Sequence, residues 1–106
     1  MIQTKEILGL IFNSIQDYAM YLLDPEGNVL TWNEGAKKLK GYDYDEIIGQ
    51  NFSTFYIEED QKLKKPANAL AQAIYRGNYK ETGFRQRKDG SRFWAHVLLT
   101  AIKDDN

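Results

Sequence analysis

Few residues in this chain of 106 could carry acid–base, nucleophilic or metal chemistry. It has no cysteine, which excludes thiolate nucleophiles, disulfides and cysteine-ligated metals. Its single histidine, His96, lies in a predicted strand, away from the loops where a nucleophile would sit. Histidine ligands normally come with partners. We therefore expect His96 to be a partly covered surface residue, the domain to be non-catalytic, and no metal site.

The charged clusters predict ordinary solvated surfaces. Glu58-Glu59-Asp60 could suggest a cation site, but adjacent carboxylates diverge, and acidic residues favour the start of a helix. The net charge is −1, from 14 basic and 15 acidic residues, and predicts neither nucleic-acid binding nor a polybasic membrane contact. We interpret the lysines, including Lys37, Lys38 and Lys40, as exposed faces, and no phosphate-binding loop is present.

The hydrophobic spacing predicts a first amphipathic helix over residues 4–16 and a series of shorter helices after it. Asn33 is a good N-cap for a helix at 34–40, and Gly41 is a suitable end for it. Asp43 and Glu46 form a capping box that opens a helix at 44–48. Further helical segments are predicted at 51–56, from residue 58, and at 66–76.

Four strands are predicted, at residues 19–23, 29–32, 79–87 and 92–102, with a hairpin signal at Asp89-Gly90. A two-residue turn would pair Phe84 with Ala95. A three-residue loop, with Gly90 in the left-handed region, would pair Phe84 with Trp94 instead. The two registers turn opposite faces of the strand toward the core. We favour the second, because it stacks two aromatic side chains.

Several short motifs, in this order and spacing, resemble those of the PAS sensory domains across nearly the whole chain. They are residues 21–27 (Tyr-Leu-Leu-Asp-Pro-Glu-Gly), Trp32-Asn33 with Gly41-Tyr42, residues 46–49 (Glu-Ile-Ile-Gly), and residues 87–91 (Arg-Lys-Asp-Gly-Ser) with Phe93-Trp94. The version here most resembles PAS domains of bacterial and archaeal sensor histidine kinases and related signalling proteins. The resemblance implies an α+β fold, in which short helices pack on one face of an antiparallel sheet and an amphipathic helix precedes it.

The expected organisation is a single domain, with a flanking helix in residues 1–17 and the PAS core in residues 18–106. PAS domains have a fifth strand between the first and the fourth, and this sequence stops at Lys103-Asp104-Asp105-Asn106, where that strand should begin. The chain therefore looks like a fragment of a larger protein. We expect strand 19–23 to pair directly with strand 92–102, or a second chain to fill the gap by strand exchange.

The resemblance implies a ligand pocket between the helices and the sheet. The favoured register points Arg85 toward it, and a buried guanidinium needs a partner. That partner is one of three carboxylates (Glu34, Glu46, Glu81) or the carboxylate of a small ligand; the remaining alternative is that the side chain extends out to solvent. The candidate pocket residues are Tyr21, Leu23, Leu39, Ile48, Phe52, Phe55, Ile74, Arg85, Phe93, Ala95 and Val97.

The alternation along the last strand places Trp94, His96 and Leu98 on the outer face of the sheet. An apolar face of that size should be covered, and the first helix is the natural cover, either within its own chain or across a symmetric dimer. The candidates for flank or dimer packing are Ile7, Leu8, Ile11, Phe12, Met20, Leu22, Trp94 and Leu98.

The function implied by the resemblance is sensory signal transduction within a larger protein, a histidine kinase, in which this domain senses a small organic ligand, forms a homodimer and passes a signal to an output domain. The alternative is a ligand-free interaction and dimerisation module, with a pocket filled by its own aromatic side chains. The cofactor is unknown. The absence of cysteine excludes a cysteine-linked flavin or chromophore. Haem is not expected, because haem-binding PAS domains use a histidine, most often on the longer helix, and residues 66–77 contain none. No apolar run is long enough to span a bilayer and no signal peptide is evident, so we expect no membrane contact and a cytoplasmic location.

Overall fold

The computed structural model describes residues 4–102, which form five α-helices, one 3₁₀ helix and one antiparallel strand pair. The α-helices are α1 (Thr4–Ser14), α2 (Glu34–Lys40), α3 (Tyr44–Ile47), α4 (Glu58–Lys62) and α5 (Lys65–Arg76), and the 3₁₀ helix is Phe52–Phe55. The strands are β1 (Asn78–Gln86) and β2 (Arg92–Thr100). The predicted α+β class is confirmed.

The predicted capping residues begin and end the short helices. At the start of α2, the Asn33 side chain accepts a hydrogen bond from the Ala36 N–H at 2.8 Å. Gly41 ends the same helix with a φ of 85°, in the left-handed region that glycine adopts without strain. In the capping box of α3, the Asp43 N–H donates to Glu46 Oε1 at 2.7 Å. These local predictions are confirmed.

The hairpin has the register of the three-residue loop. Phe84 lies opposite Trp94, and their rings meet edge to face with centroids 5.1 Å apart. Gly90 has a φ of 87°, and the Arg87 N–H donates to the Ser91 carbonyl at 2.8 Å beneath the loop. Along β2, the side chains alternate between half-buried and exposed, as predicted.

Residues 19–32 do not form the predicted pair of regular strands. An isolated bridge between Leu23 and Val29 joins the two stretches. Beside it, the Leu22 N–H donates to the Thr31 side-chain hydroxyl at 2.9 Å, where a ladder would use a carbonyl. The prediction was wrong because polar side chains take over hydrogen bonds that a regular strand pair would make between backbones.

The predicted pairing of residues 19–23 with residues 92–102 is also wrong within this chain. In the described part, the sheet contains β1 and β2 alone, so the second edge of β2 has no strand partner. The expected start of a fifth strand, at residues 103–106, lies outside the described residues. Strand exchange with a second chain stays a prediction.

The helical insert, which is the run of helices between residues 34 and 76, and the hairpin of β1 and β2 enclose one core. α5 packs on both strands of the hairpin through Pro66, Ala69 and Ala73, which are buried. The central cluster joins residues from the first bridge, α2, α3 and the 3₁₀ segment. Its buried members are Val29, Trp32, Ala36, Ile47, Phe52, Phe55 and Tyr56.

Asn33 joins the end of α1 to the start of α2 and is 1% exposed. Its Oδ1 accepts from the Met20 and Ala36 N–H groups at 2.9 and 2.8 Å. Its Nδ2 donates to the carbonyls of Ile15 and Tyr18 at 3.0 and 3.1 Å. Both donors and both acceptor positions of the amide are therefore used, so no polar group of this side chain is buried without a partner.

Gly35 allows residues 16–18 to cross directly over the first turn of α2. A Cβ added there would lie 2.0 Å from the Tyr18 carbonyl oxygen and 3.1 Å from that of Gln16. Both contacts are with backbone, so a rotamer change could not relieve them. Glycine is therefore required at this position because there is no space for a Cβ. Its backbone conformation is not the reason, since the φ of Gly35 is not in the left-handed region.

We predict that Gly35→Ala lowers the free energy of unfolding by more than about 2 kcal/mol, although alanine is the better helix former by about 1 kcal/mol. The control is Gly9→Ala in α1, where nothing lies within 4 Å of the added Cβ. This variant is expected to raise the free energy of unfolding slightly. Urea unfolding of both variants measures the difference. An unchanged or raised stability for Gly35→Ala would contradict this account of the crossing.

Candidate functional site

A cluster of aromatic rings fills the space between the helical insert and the hairpin. Phe55 lies at its centre, with ring centroids 5.5 Å from Trp32, 5.6 Å from Tyr21 and 5.9 Å from Tyr42. The Trp32 indole N–H donates to the Tyr42 carbonyl at 2.9 Å, which anchors the ring to the turn between α2 and α3. Separations of this size are those of packed aromatic pairs.

Lys40 lies among these rings, and only 6% of its surface is exposed. Its Nζ is 4.4 Å from the ring centroid of Phe55, 5.5 Å from that of Phe93 and 5.8 Å from that of Tyr21. The prediction of an exposed lysine was therefore wrong. Ala36, one helical turn earlier on α2, is fully buried, and i, i+4 spacing puts Lys40 on the same face.

The surroundings of Lys40 favour its neutral amine. Burial, followed by the nearby charge of Arg85, lowers the pKa of Lys40 to about 7. None of the ion pairs among the described residues includes Lys40. Contact with the aromatic faces stabilises the ammonium by about 2 kcal/mol, whereas burying an unpaired ion costs several kcal/mol, so the cost of burial is larger.

Arg85, the one charged candidate for the pocket, already has a partner in the protein. Its guanidinium forms an ion pair with Glu81, four residues earlier on β1, and lies 3.8 Å from the ring centroid of Tyr56. The Tyr56 hydroxyl donates to the same carboxylate at 2.6 Å. Of the three carboxylates that the sequence offered, the structure selects Glu81.

Burial raises the pKa of both tyrosines beside this ion pair. It raises the pKa of Tyr21 to about 12, against the lowering effect of Arg85. Tyr56 shifts in the same direction through burial, with its hydrogen bond to Glu81 as the next cause. Both hydroxyls therefore stay protonated near neutral pH and can act as hydrogen-bond donors.

The other predicted pocket residues divide into two groups. Most face inward, either in the core or half-buried against it: Tyr21, Leu23, Ile48, Phe52, Phe55, Phe93, Ala95 and Val97. Leu39 is 37% exposed and Ile74 is 51% exposed, so their predicted inward orientation is wrong. On α2 the inward-facing residue is Lys40 instead of Leu39. On α5 the buried residues are Ala69 and Ala73 instead of Ile74. Whether any of these residues binds a ligand stays a prediction.

Ile74 instead lines an open groove of about 610 Å³ on the surface. Phe52 and Leu70 add apolar wall, while Asn51 and Gln61 add polar groups. The groove was not predicted from the sequence, because its walls come from separate segments: α5, Gln61 of α4, Phe52 and Ser53 of the 3₁₀ helix, and Glu26. Trp32 and Tyr56, two large buried rings, were also not among the predicted pocket residues.

The outer face of the hairpin is uncovered. Trp94 is 56% exposed and Leu98 is 59% exposed, and Met20 and Leu22, in residues 19–23, are exposed as well. α1 contacts α2 and leaves much of its own apolar stripe in solvent, with Ile7, Leu8 and Ile11 exposed and Phe12 half-buried. The prediction of a cover from the same chain is therefore wrong, and a cover from a second chain stays a prediction.

His96 lies exposed on the outer side of β2, as predicted. Within residues 4–102, no group of three or more histidines or carboxylates is placed to hold a metal ion. The same residues contain no helix that is long and apolar enough to cross a membrane.

Comparisons with known proteins agree with this geometry. A family model described as PAS domain matches residues 17–106. The chain is 46% identical over 98 residues to two-component system protein A of Emericella nidulans, a match that covers 92% of this chain and 14% of that protein.

Solved structures show the same fold. The PAS domain of a protein from Colwellia psychrerythraea superposes with a TM-score of 0.85 at 20% identity, covering 98% of this chain and 86% of that one. A domain of a sensory box sensor histidine kinase/response regulator from Geobacter sulfurreducens gives a TM-score of 0.81 at 16% identity, covering 92% and 83%.

We predict that Lys40→Met changes how stability depends on pH. Between about 7 and 10.5 the unfolded chain binds a proton at Lys40 that the folded chain does not, so wild type gains stability relative to the variant as the pH rises. The slope approaches about 1.4 kcal/mol per pH unit. Below about 7 both states are protonated and the difference levels off.

Urea unfolding of wild type and Lys40→Met across this pH range measures the effect. Lys38→Met, which removes an exposed lysine from the same helix, is the control. A difference between wild type and Lys40→Met that does not change with pH would show that Lys40 stays charged in the fold.

Proposed function

This chain belongs to the PAS domain family, and we propose that it is the input module of a two-component signalling protein, in which it dimerises and responds to a small ligand. PAS domains are in general sensory and non-catalytic. The chain spans about 14% of the length of the curated relative that it matches. A histidine kinase activity in the parent protein and an output domain that receives the signal are therefore part of the proposal.

The uncovered outer face is the observation that carries the proposal of a dimer. Trp94 and Leu98 are each about half exposed there, Leu22 is about half exposed in residues 19–23, and Leu8 and Ile11 of α1 are more than half exposed. A monomer rarely leaves two apolar surfaces of this kind in water. In a symmetric pair, α1 of one protomer would cover the outer face of the other, and the same contact would occur twice.

The ligand is proposed to bind on the inner side of the sheet. Ligand sites are mostly apolar, with a few polar groups that set orientation. The inner side offers that combination, because the half-buried side chains of Phe93, Ala95 and Val97 are apolar, and the Lys40 amine lies 5.5 Å from the ring centroid of Phe93 and 5.8 Å from that of Tyr21. The identity of the ligand and of any cofactor is open.

One observation favours the alternative, a ligand-free interaction module. Trp32, Phe55 and Tyr21 already contact one another, with centroids 5.2 to 5.6 Å apart, so the protein's own rings occupy much of the interior. In that case the domain would act through dimerisation and through contacts with the rest of its protein. The cytoplasmic location, and the division into residues 1–17 and 18–106, stay predictions.

The proposed route of the signal runs along α2. Lys40 lies at one end of this helix beside the inner face, and Asn33 lies at the other end. Asn33 holds the carbonyls of Ile15 and Tyr18, just after α1. A ligand that binds one packing of α2 more tightly than another would therefore also shift the position of α1.

We predict that Trp94→Glu converts a dimer into a monomer, because a buried unpaired carboxylate at the interface costs several kcal/mol. The control is Tyr75→Glu, which changes an 89% exposed aromatic on α5, away from the outer face. Light scattering coupled to size-exclusion chromatography measures the mass of each. A monomeric wild type, or a dimeric Trp94→Glu variant, would refute the proposed interface.

We predict that native mass spectrometry of the purified chain detects a bound small molecule that is absent under denaturing conditions. Ala95→Phe fills the inner side of the sheet and should remove the adduct, whereas Ala67→Phe adds the same volume to the open groove and should keep it. Thermal unfolding checks that both variants fold. No adduct on wild type, from several expression hosts, would favour the ligand-free alternative.

A further inference from the structure

The amine of Lys40 is a reactive group that neither the dimer nor any ion pair of the described residues uses. We propose that Lys40 is a covalent binding site, at which a small aldehyde or ketone forms an imine with the side-chain amine. The inference goes beyond the proposed function, because it depends on the surroundings of one residue and requires neither a dimer nor a non-covalent ligand.

The surroundings of Lys40 combine the two conditions that activate a lysine nucleophile. One is desolvation, which three aromatic rings provide: Phe55 lies 4.4 Å from Nζ, with Phe93 and Tyr21 at 5.5 and 5.8 Å. The other is a neighbouring cation, which is the guanidinium of Arg85. Both favour the neutral amine, the form with a lone pair that attacks a carbonyl carbon.

The charged and titratable groups on the neighbouring elements do not restore the ammonium form. On β1, the carboxylate of Glu81 is engaged by Arg85 and by the Tyr56 hydroxyl. Before α2, Tyr21 is protonated near neutral pH and adds no negative charge. On the hairpin, Arg87 lies over the ring of Phe93 at 4.5 Å and adds positive charge. Of these groups, Arg85 is the charge that favours loss of the proton from Lys40, after the effect of burial.

The burial of Lys40 limits the electrophile to a small one. Only 6% of the residue is exposed, and the side chains of Phe55 and Phe93 flank the amine. A carbonyl compound of two or three carbons would displace the least of this packing to reach the amine. One that carries a phenyl ring would have to displace the packed aromatic cluster, so the structure predicts discrimination by size.

The reaction needs no oxidant, reductant or cofactor. The lone pair of the neutral Lys40 nitrogen attacks the carbonyl carbon, a C–N bond forms, and the carbonyl π electrons move to the oxygen. The resulting carbinolamine loses its hydroxyl group with one proton as water, while the nitrogen gives up its second proton and forms the C=N bond. Amine and carbonyl compound thus become imine and water, and the step is reversible.

The test is reductive trapping on the full chain near pH 7, with acetaldehyde as the probe and sodium cyanoborohydride as the reductant, followed by peptide mass mapping. An imine at Lys40 would be fixed as a stable ethylated amine. We expect Lys40 to be labelled roughly tenfold or more faster than exposed lysines such as Lys38, because far more of it is neutral at that pH. Benzaldehyde, under the same conditions, should leave Lys40 unlabelled.

Matched variants locate the label. Lys40→Met should lose the fast label, whereas Lys38→Met should keep it. Labelling of Lys40 no faster than that of exposed lysines, or a fast label that survives Lys40→Met, would overturn the proposal. The result is separable from the proposed function: a monomer with fast labelling would refute the interface alone, and a dimer without it would refute this inference alone.

Discussion

The hydrogen bonds of Asn33 are the constraint on which the arrangement of this domain depends. One buried amide caps α2, receives the Met20 N–H, and holds the carbonyls of Ile15 and Tyr18. These groups lie in the segment that follows α1 and in the first turn of α2, so the side chain ties the two together. Loss of the side chain would leave several buried backbone groups without partners, at about 1–3 kcal/mol each. Gly35, beside it, provides the space for this crossing.

α2 is also held at its other end, by the tip of the hairpin. The Lys88 N–H donates to the Lys40 carbonyl at 2.9 Å, and Arg87 Nε donates to the Leu39 carbonyl at 3.1 Å. These contacts satisfy carbonyls that the last turn of a helix leaves free. Lys88 also forms an ion pair with Glu46 of α3 at 2.7 Å. A helix of seven residues is too short to be stable alone, so its position, and with it that of Lys40, follows from these two attachments.

The distribution of apolar surface links the fold to signalling. Packed rings such as Trp32 and Phe55 occupy much of the interior, whereas Trp94 and Leu98 of β2 and Leu8 of α1 lie in solvent. The surfaces that could still add stability by burial are therefore the outer face of the hairpin and the exposed side of α1. If the domain signals by association as proposed, a small shift of α1 would change how much of that surface a partner can cover.

The sequence alone determined the features that depend on near neighbours in the chain: the caps at Asn33 and Asp43, the helix end at Gly41, and the hairpin loop at Gly90. A capping residue acts on a backbone group two or three positions away, so its effect can be predicted from the local sequence. The outward orientation of Trp94 followed from the strand period of two, once the loop had set the register.

The tertiary structure decided whatever depended on segments far apart in the chain. The sequence gives no sign that Lys40 is buried, because the rings that cover it come from residues 21, 55 and 93. The choice of Glu81 as the partner of Arg85 needed the strand geometry, and the irregular course of residues 19–32 needed the side chains of Thr31 and Asn33 to reach distant N–H groups. Packing of non-local neighbours outweighs local preference in each case, since a buried polar group takes whichever partner the fold brings within reach.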